Sequence, residues 1–65
     1  PSVFLSPREL DVLRELASSR PASVIAADLS ISVNTAKTHL RGIYRKLGVS
    51  NKWDALTVAQ NSGLL

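Results

Sequence analysis

Cysteine and methionine are both absent from this chain, and histidine, tryptophan, tyrosine and phenylalanine occur once each. Without thiols, neither a disulfide nor a thiolate-bound zinc can staple the fold, and a single His excludes a closed His-rich metal site. The 65 residues hold no apolar run approaching the roughly 20 needed for a membrane-spanning helix. Catalytic patterns are missing too: there is no phosphate-cradling glycine loop, and no nucleophile beside an activating base. Glu9 and Asp11 resemble a catalytic carboxylate pair, but acids in the first turn of a helix are explained more simply by the helix dipole. What remains is one small domain, residues 1–65, held by helix packing alone, with no enzymatic chemistry, cofactor or metal expected. The chain opens on Pro1 and not on Met, and reads as a piece of something longer.

Charge is present but unevenly placed. The net charge is +3. In the first half Arg8, Arg14 and Arg20 stand against Glu9, Asp11, Glu15 and Asp28; in the second, Lys37, Arg41, Arg45, Lys46 and Lys52 stand against Asp54 alone. A half-molecule with that excess favours a polyanion, and nucleic acid and an acidic membrane surface both qualify on charge.

The stretch Ser32–Leu47 organises the rest. Val33, Ala36, Leu40, Ile43 and Leu47 recur at steps of three and four, which places all of them on one side of an α-helix. The opposite side carries Asn34, Lys37, Thr38, Arg41 and Arg45, and the segment has no carboxylate. Ser32 is placed to cap it, and Gly48 to end it in a left-handed conformation. An ordinary amphipathic helix with a solvated face is the commoner outcome of such a pattern. The missing acids, and the elements that precede it, favour a helix built for the major groove of a duplex.

Those elements are legible from their punctuation. Ser6-Pro7-Arg8-Glu9 reads as a cap, a helix-starting proline and a capping box, with Leu5 and Leu10 placed as a hydrophobic staple. Leu10, Leu13 and Leu16 are expected inward, Val12 and Ala17 at the margins, and Arg8, Asp11, Arg14 and Glu15 in solvent. The helix should span about 7–18. Pro21 then starts a second, alanine-rich helix, 22–29, with Ile25, Ala26 and Leu29 inward. Only Ser30-Ile31-Ser32 links it to the helix over 33–47. Two helices joined so tightly must cross steeply, which is the helix-turn-helix arrangement, with Ile31 plugging the corner. A fourth helix, 51–62, is expected behind Ser50 as its cap, with Ala55, Leu56 and Ala59 inward, Gly63 as its stop, and Leu64 and Leu65 folding back. The architecture expected is all-α: a compact four-helix bundle containing a helix-turn-helix.

Three stretches carry a family resemblance: LSPRELDVLREL at 5–16, VIAADLSISVNTAKTHLRGIYRKLGVSN at 24–51 and DALTVAQNSGLL at 54–65. Together they resemble the LuxR-type (GerE-type) DNA-binding domain over nearly the whole chain, and the run from Thr35 to Ser50 is highly specific. The resemblance implies a four-helix domain whose third helix reads the major groove. It implies base contact from Lys37, Thr38 and Arg41, and backbone contact from Ser32, Asn34, Thr35 and Arg45. Lys46 and Lys52 are expected at phosphates or in solvent, and His39 in a packing or phosphate-contacting role. Departures from the family pattern include Ser19 where glycine is usual, Pro21 where a Ser or Thr cap is usual, Ser23-Val24 in place of a Lys-Glu pair, Ala36 for valine and Trp53 for threonine. The SVNTxKTHLRxIYRKLGV wording and the GLL ending look most like domains at the C-termini of large ATP-binding regulators.

The expected function is sequence-specific binding of duplex DNA by a cytoplasmic transcriptional regulator. The alternative is a protein-docking helix-turn-helix that meets RNA polymerase or a sibling domain. The family tends to pair through its last helix. With Ala55, Leu56 and Ala59 turned inward, Trp53, Thr57, Val58 and Asn61 remain as the candidate dimer seam. That strip is too narrow to hold isolated domains together, so a monomer that pairs on DNA is expected.

Overall fold

A computed structural model describes residues 4–65. Among them are four α-helices and no strand: α1 (Pro7–Ala17), α2 (Ala22–Leu29), α3 (Val33–Leu47) and α4 (Lys52–Asn61). Helix α3 packs against all three others, so the segment that organises the sequence also organises the fold.

The punctuation acts as the sequence implies at most positions. Ser6 caps α1 in a complete capping box: Glu9 N donates to Ser6 Oγ at 3.2 Å, and Ser6 N donates to Glu9 Oε1 at 2.9 Å. Ser32 caps α3 through the Thr35 amide, and Gly48 ends it at φ 71 with Val49 N donating to Tyr44 O. Leu64 N closes the corresponding bond to Ala59 O after α4, which seats Leu64 against the core and leaves Leu65 exposed. One cap differs from expectation. Asn51, not Ser50, caps α4, its Oδ1 accepting from the Asp54 amide, because the amide side chain lies at the residue where extended backbone gives way to helix.

The core consists of Leu5, Val12, Leu13, Leu16, Ile25, Ile43, Leu47, Ala55 and Ala59. Two stripes are rotated from the sequence expectation. On α1 the buried face is Glu9, Val12, Leu13 and Leu16, while Leu10 is only half-buried. Glu9 lies on that same face and turns inward to meet a lysine of α3. On α3 the buried residues are Ala36, Ile43 and Leu47; Leu40 lies at the edge and Val33 is 40% exposed. The small Ala36 lets the neighbouring helices approach closely, so the centre of the contact falls there.

Among the described residues four acid–base contacts lie off the organising helix. Arg20 bridges Glu15 and Asp28, tying the end of α1 to α2. Glu15 is therefore largely covered, not free in solvent as α1's pattern suggests. Hydrogen bonding with Asp28 and partial burial push its carboxyl above the usual range, against the pull of Arg20. Asp11 holds Arg8 and Arg14 more loosely, at 3.7 and 3.9 Å.

Among the described residues two non-glycine positions occupy the left-handed region: Ser19 at φ 62 and Ser30 at φ 57. They are the corners after α1 and after α2. A glycine at position 19 would adopt this backbone without the Cβ conflict that Ser19 carries.

Candidate nucleic-acid interface

Helix α3 sorts its side chains into three sectors. One faces the core through Ala36, Ile43 and Leu47. A second, directed at solvent, holds Asn34, Lys37, Thr38, Arg41 and Arg45, all exposed. The third is the flank that meets α1, and it carries Lys46. Its Nζ donates to Glu9 Oε1 at 2.7 Å.

The ion pairs separate the cations of the molecule cleanly. Among the described residues Arg8, Arg14, Arg20 and Lys46 each have a carboxylate partner within 4.0 Å, whereas Lys37, Arg41 and Arg45 of α3, and Lys52 of α4, have none. The positive charge of the outer face of α3 is therefore uncompensated by its own protein. Lys46, expected at phosphates or in solvent beside Arg45, is carried round by the step of about 100° per residue to the flank facing α1, where it pairs with Glu9.

Glu9 is 8% exposed, and burial alone would raise its carboxyl. The bonds from Lys46 and from the Ser6 backbone outweigh that, and hold it below the usual carboxylate range. Glu9 thus serves two helices: it completes the cap of α1 and fixes the C-terminal half of α3 against it. Gly42 belongs to the same device, since a Cβ there would stand 3.1 Å from Glu9 Oε2. Nothing in the sequence announced this strut, because the register between two helices is not written in either one.

The polar side chains on the outer face are arranged before any ligand arrives. Thr38 Oγ1 donates to Asn34 O at 2.9 Å, so its hydroxyl proton is spent and its methyl is the free end. Ser32 Oγ accepts from Thr35 N at 3.0 Å and donates to Thr35 Oγ1 at 2.8 Å, which leaves the Thr35 proton to donate elsewhere. His39 and Tyr44 lie half-buried beside the core sector, and burial pushes the Tyr44 phenol up.

The candidate seam on α4 is divided. Trp53 is 70% exposed with Lys52 Nζ 4.6 Å from its ring centroid, and Thr57 and Asn61 are exposed with it. Val58 departs from expectation: it is half-buried against the core, and with Thr57 it lines a shallow hollow of about 450 Å³ under the α3–α4 corner. No helix among the described residues is long and apolar enough to cross a membrane.

Comparison with known proteins agrees with this geometry. Residues 3–59 match the family described as bacterial regulatory proteins, luxR family. The transcriptional regulatory protein YdfI of Bacillus subtilis is 38% identical over 61 residues, which cover 94% of this chain and 29% of that protein. The probable transcriptional regulatory protein NarL of Mycobacterium tuberculosis is 41% identical, again over 94% of this chain and 28% of its own. Among solved structures, the response regulator ChrA of a heme-sensing two-component system superposes with a TM-score of 0.92 at 43% identity, covering 100% of this chain and 32% of ChrA. The chain spans less than a third of the curated relatives it matches. With the family matched along most of its length, the chain belongs to the luxR family of bacterial regulatory proteins.

Proposed function

We propose that residues 1–65 form the DNA-binding domain of a larger cytoplasmic transcriptional regulator, with α3 seated in the major groove. The observation that carries this reading is the row of Lys37, Arg41 and Arg45 on one exposed face, none held by a carboxylate among the described residues. Lys37 and Arg41 lie one helical turn apart and donate to guanine O6 and N7; Thr38 offers its methyl to thymine or its oxygen to a base amine. Arg45, Ser32, Asn34 and Thr35 take phosphates, positioning the helix without reading sequence. Lys46, paired with Glu9, contributes mainly to holding α3 in place. No reaction is catalysed, and no cofactor takes part.

One recognition helix reads too few base pairs for a unique address, so two copies bind half-sites about one helical turn apart. They pair through the open face of α4, at Trp53, Thr57 and Asn61, with Val58 at its inner edge. The same domain without DNA is a monomer.

A mobility-shift series tests this on a duplex selected from random sequences and on an unselected duplex. Lys37→Ala or Arg41→Ala should lose about 1–3 kcal/mol on the selected duplex and flatten its preference. Arg45→Ala should weaken both duplexes alike and lower the salt slope by about one. Equal losses for all three variants on both duplexes would refute the assignment of base readers. No duplex affinity at low salt would replace it with the protein-docking reading, in which RNA polymerase or a sibling domain is the partner.

A further inference from the structure

The apolar residues of α3 are accounted for by the core with one exception. Val33 opens the helix directly after its Ser32 cap, yet it is 40% exposed. It precedes Lys37 by four residues and Arg41 by eight, so the three follow one another along one strip of the helix. It also stands at the N-terminal end of α3, the end with which a helix-turn-helix reading helix meets base edges. An apolar, β-branched side chain in that place has one counterpart in the major groove: the 5-methyl group of thymine.

We propose that Val33 is a specificity-determining residue that recognises a thymine methyl next to the base pair read by Lys37. The proposal rests on α3 being the groove helix. Thr38 is the rival reader, with its hydroxyl bonded to Asn34 O and its methyl free. It lies five residues on, about 140° round the helix from Val33, so the two cannot serve the same methyl group.

The test uses the duplex that the wild-type chain selects from random DNA, with each thymine replaced singly by deoxyuridine. That exchange removes a methyl group and nothing else. At one position beside the base pair whose preference vanishes in Lys37→Ala, uracil should weaken wild-type binding about fourfold, the worth of one buried carbon. Val33→Ala should show no uracil penalty there, while Thr38→Ser should keep it. Val33→Ala removes little packing and puts the best helix former on an exposed turn, so folding is not at stake. The proposal is overturned if no thymine beside that base pair is sensitive to uracil. A penalty that persists in Val33→Ala, or disappears in Thr38→Ser, overturns it equally. Failure of the groove reading itself looks different, because Lys37→Ala would then leave base preference unchanged.

Discussion

Replacing Glu9 by Gln removes a charge and almost nothing else. The amide oxygen can still accept from Ser6 N, and the residue-9 backbone N–H still donates to Ser6 Oγ, so both bonds of the capping box survive. What goes is the charge-assisted bond from Lys46 at 2.7 Å. Bonds to charged groups contribute about 1.5–3 kcal/mol. The Lys46 side chain is 43% exposed and can return to water, so solvent screening discounts the cost to about 1–2 kcal/mol. In a domain of this size that lowers Tm by roughly 5–15 °C. The pH dependence has a definite sign. The folded-state carboxyl lies below its ordinary value of 4.5, so its stabilisation is complete above that pH and is lost as pH falls through the folded value. Thermal melts from pH 7 down to about pH 3 should therefore converge for wild type and Glu9→Gln at the acid end. Lys46→Met should move the loss to higher pH, because only burial and the cap then act on Glu9. In a double-mutant cycle Glu9→Gln and Lys46→Met should be strongly non-additive. Additive melts, or an unchanged acid limb in Lys46→Met, would refute the strut.

Further expectations concern packing, backbone and assembly. Gly42→Ala should gain close to the full helix-propensity difference of about 1 kcal/mol in a Glu9→Ala background and less in wild type, where the new Cβ meets Glu9 Oε2; equal gains in both melts would break the link. Ser19→Gly should raise stability by roughly 0.5–1 kcal/mol by relieving a left-handed serine, and a lower melt would show that the φ of 62 is not strained. Ile43→Ala, at a fully buried site, should cost about 2–5 kcal/mol and leave the domain largely unfolded, whereas Leu40→Ala at the core edge should cost less; the reverse order of denaturant midpoints would show the core misread. Trp53→Ser should abolish cooperative binding to paired half-sites and leave single half-site affinity intact. It is a cleaner probe than Val58→Asp, because Val58 also packs on the core. Sedimentation showing a tight dimer without DNA would refute pairing on DNA.

Local chemistry made much of this molecule legible from the chain alone. Ser6-Pro7-x-Glu9, Ser32 and Gly48 set helix ends through bonds spanning a few residues, so α1, α2 and α3 fall within a residue of their expected bounds. The periodicity of α3 likewise determined which residues form its polar face, because Asn34, Lys37, Thr38, Arg41 and Arg45 share a side whatever they pack beside. Phase between helices is different, since it depends on where two surfaces meet. Tertiary packing decided that Val12 and not Leu10 is central to α1, that Val33 stands in solvent, and that Val58 turns partly inward. It also decided the fate of Lys46. A lysine beside Arg45 carries the same sequence signal, but only the approach of α1 brings a buried carboxylate to within 2.7 Å of one and not the other.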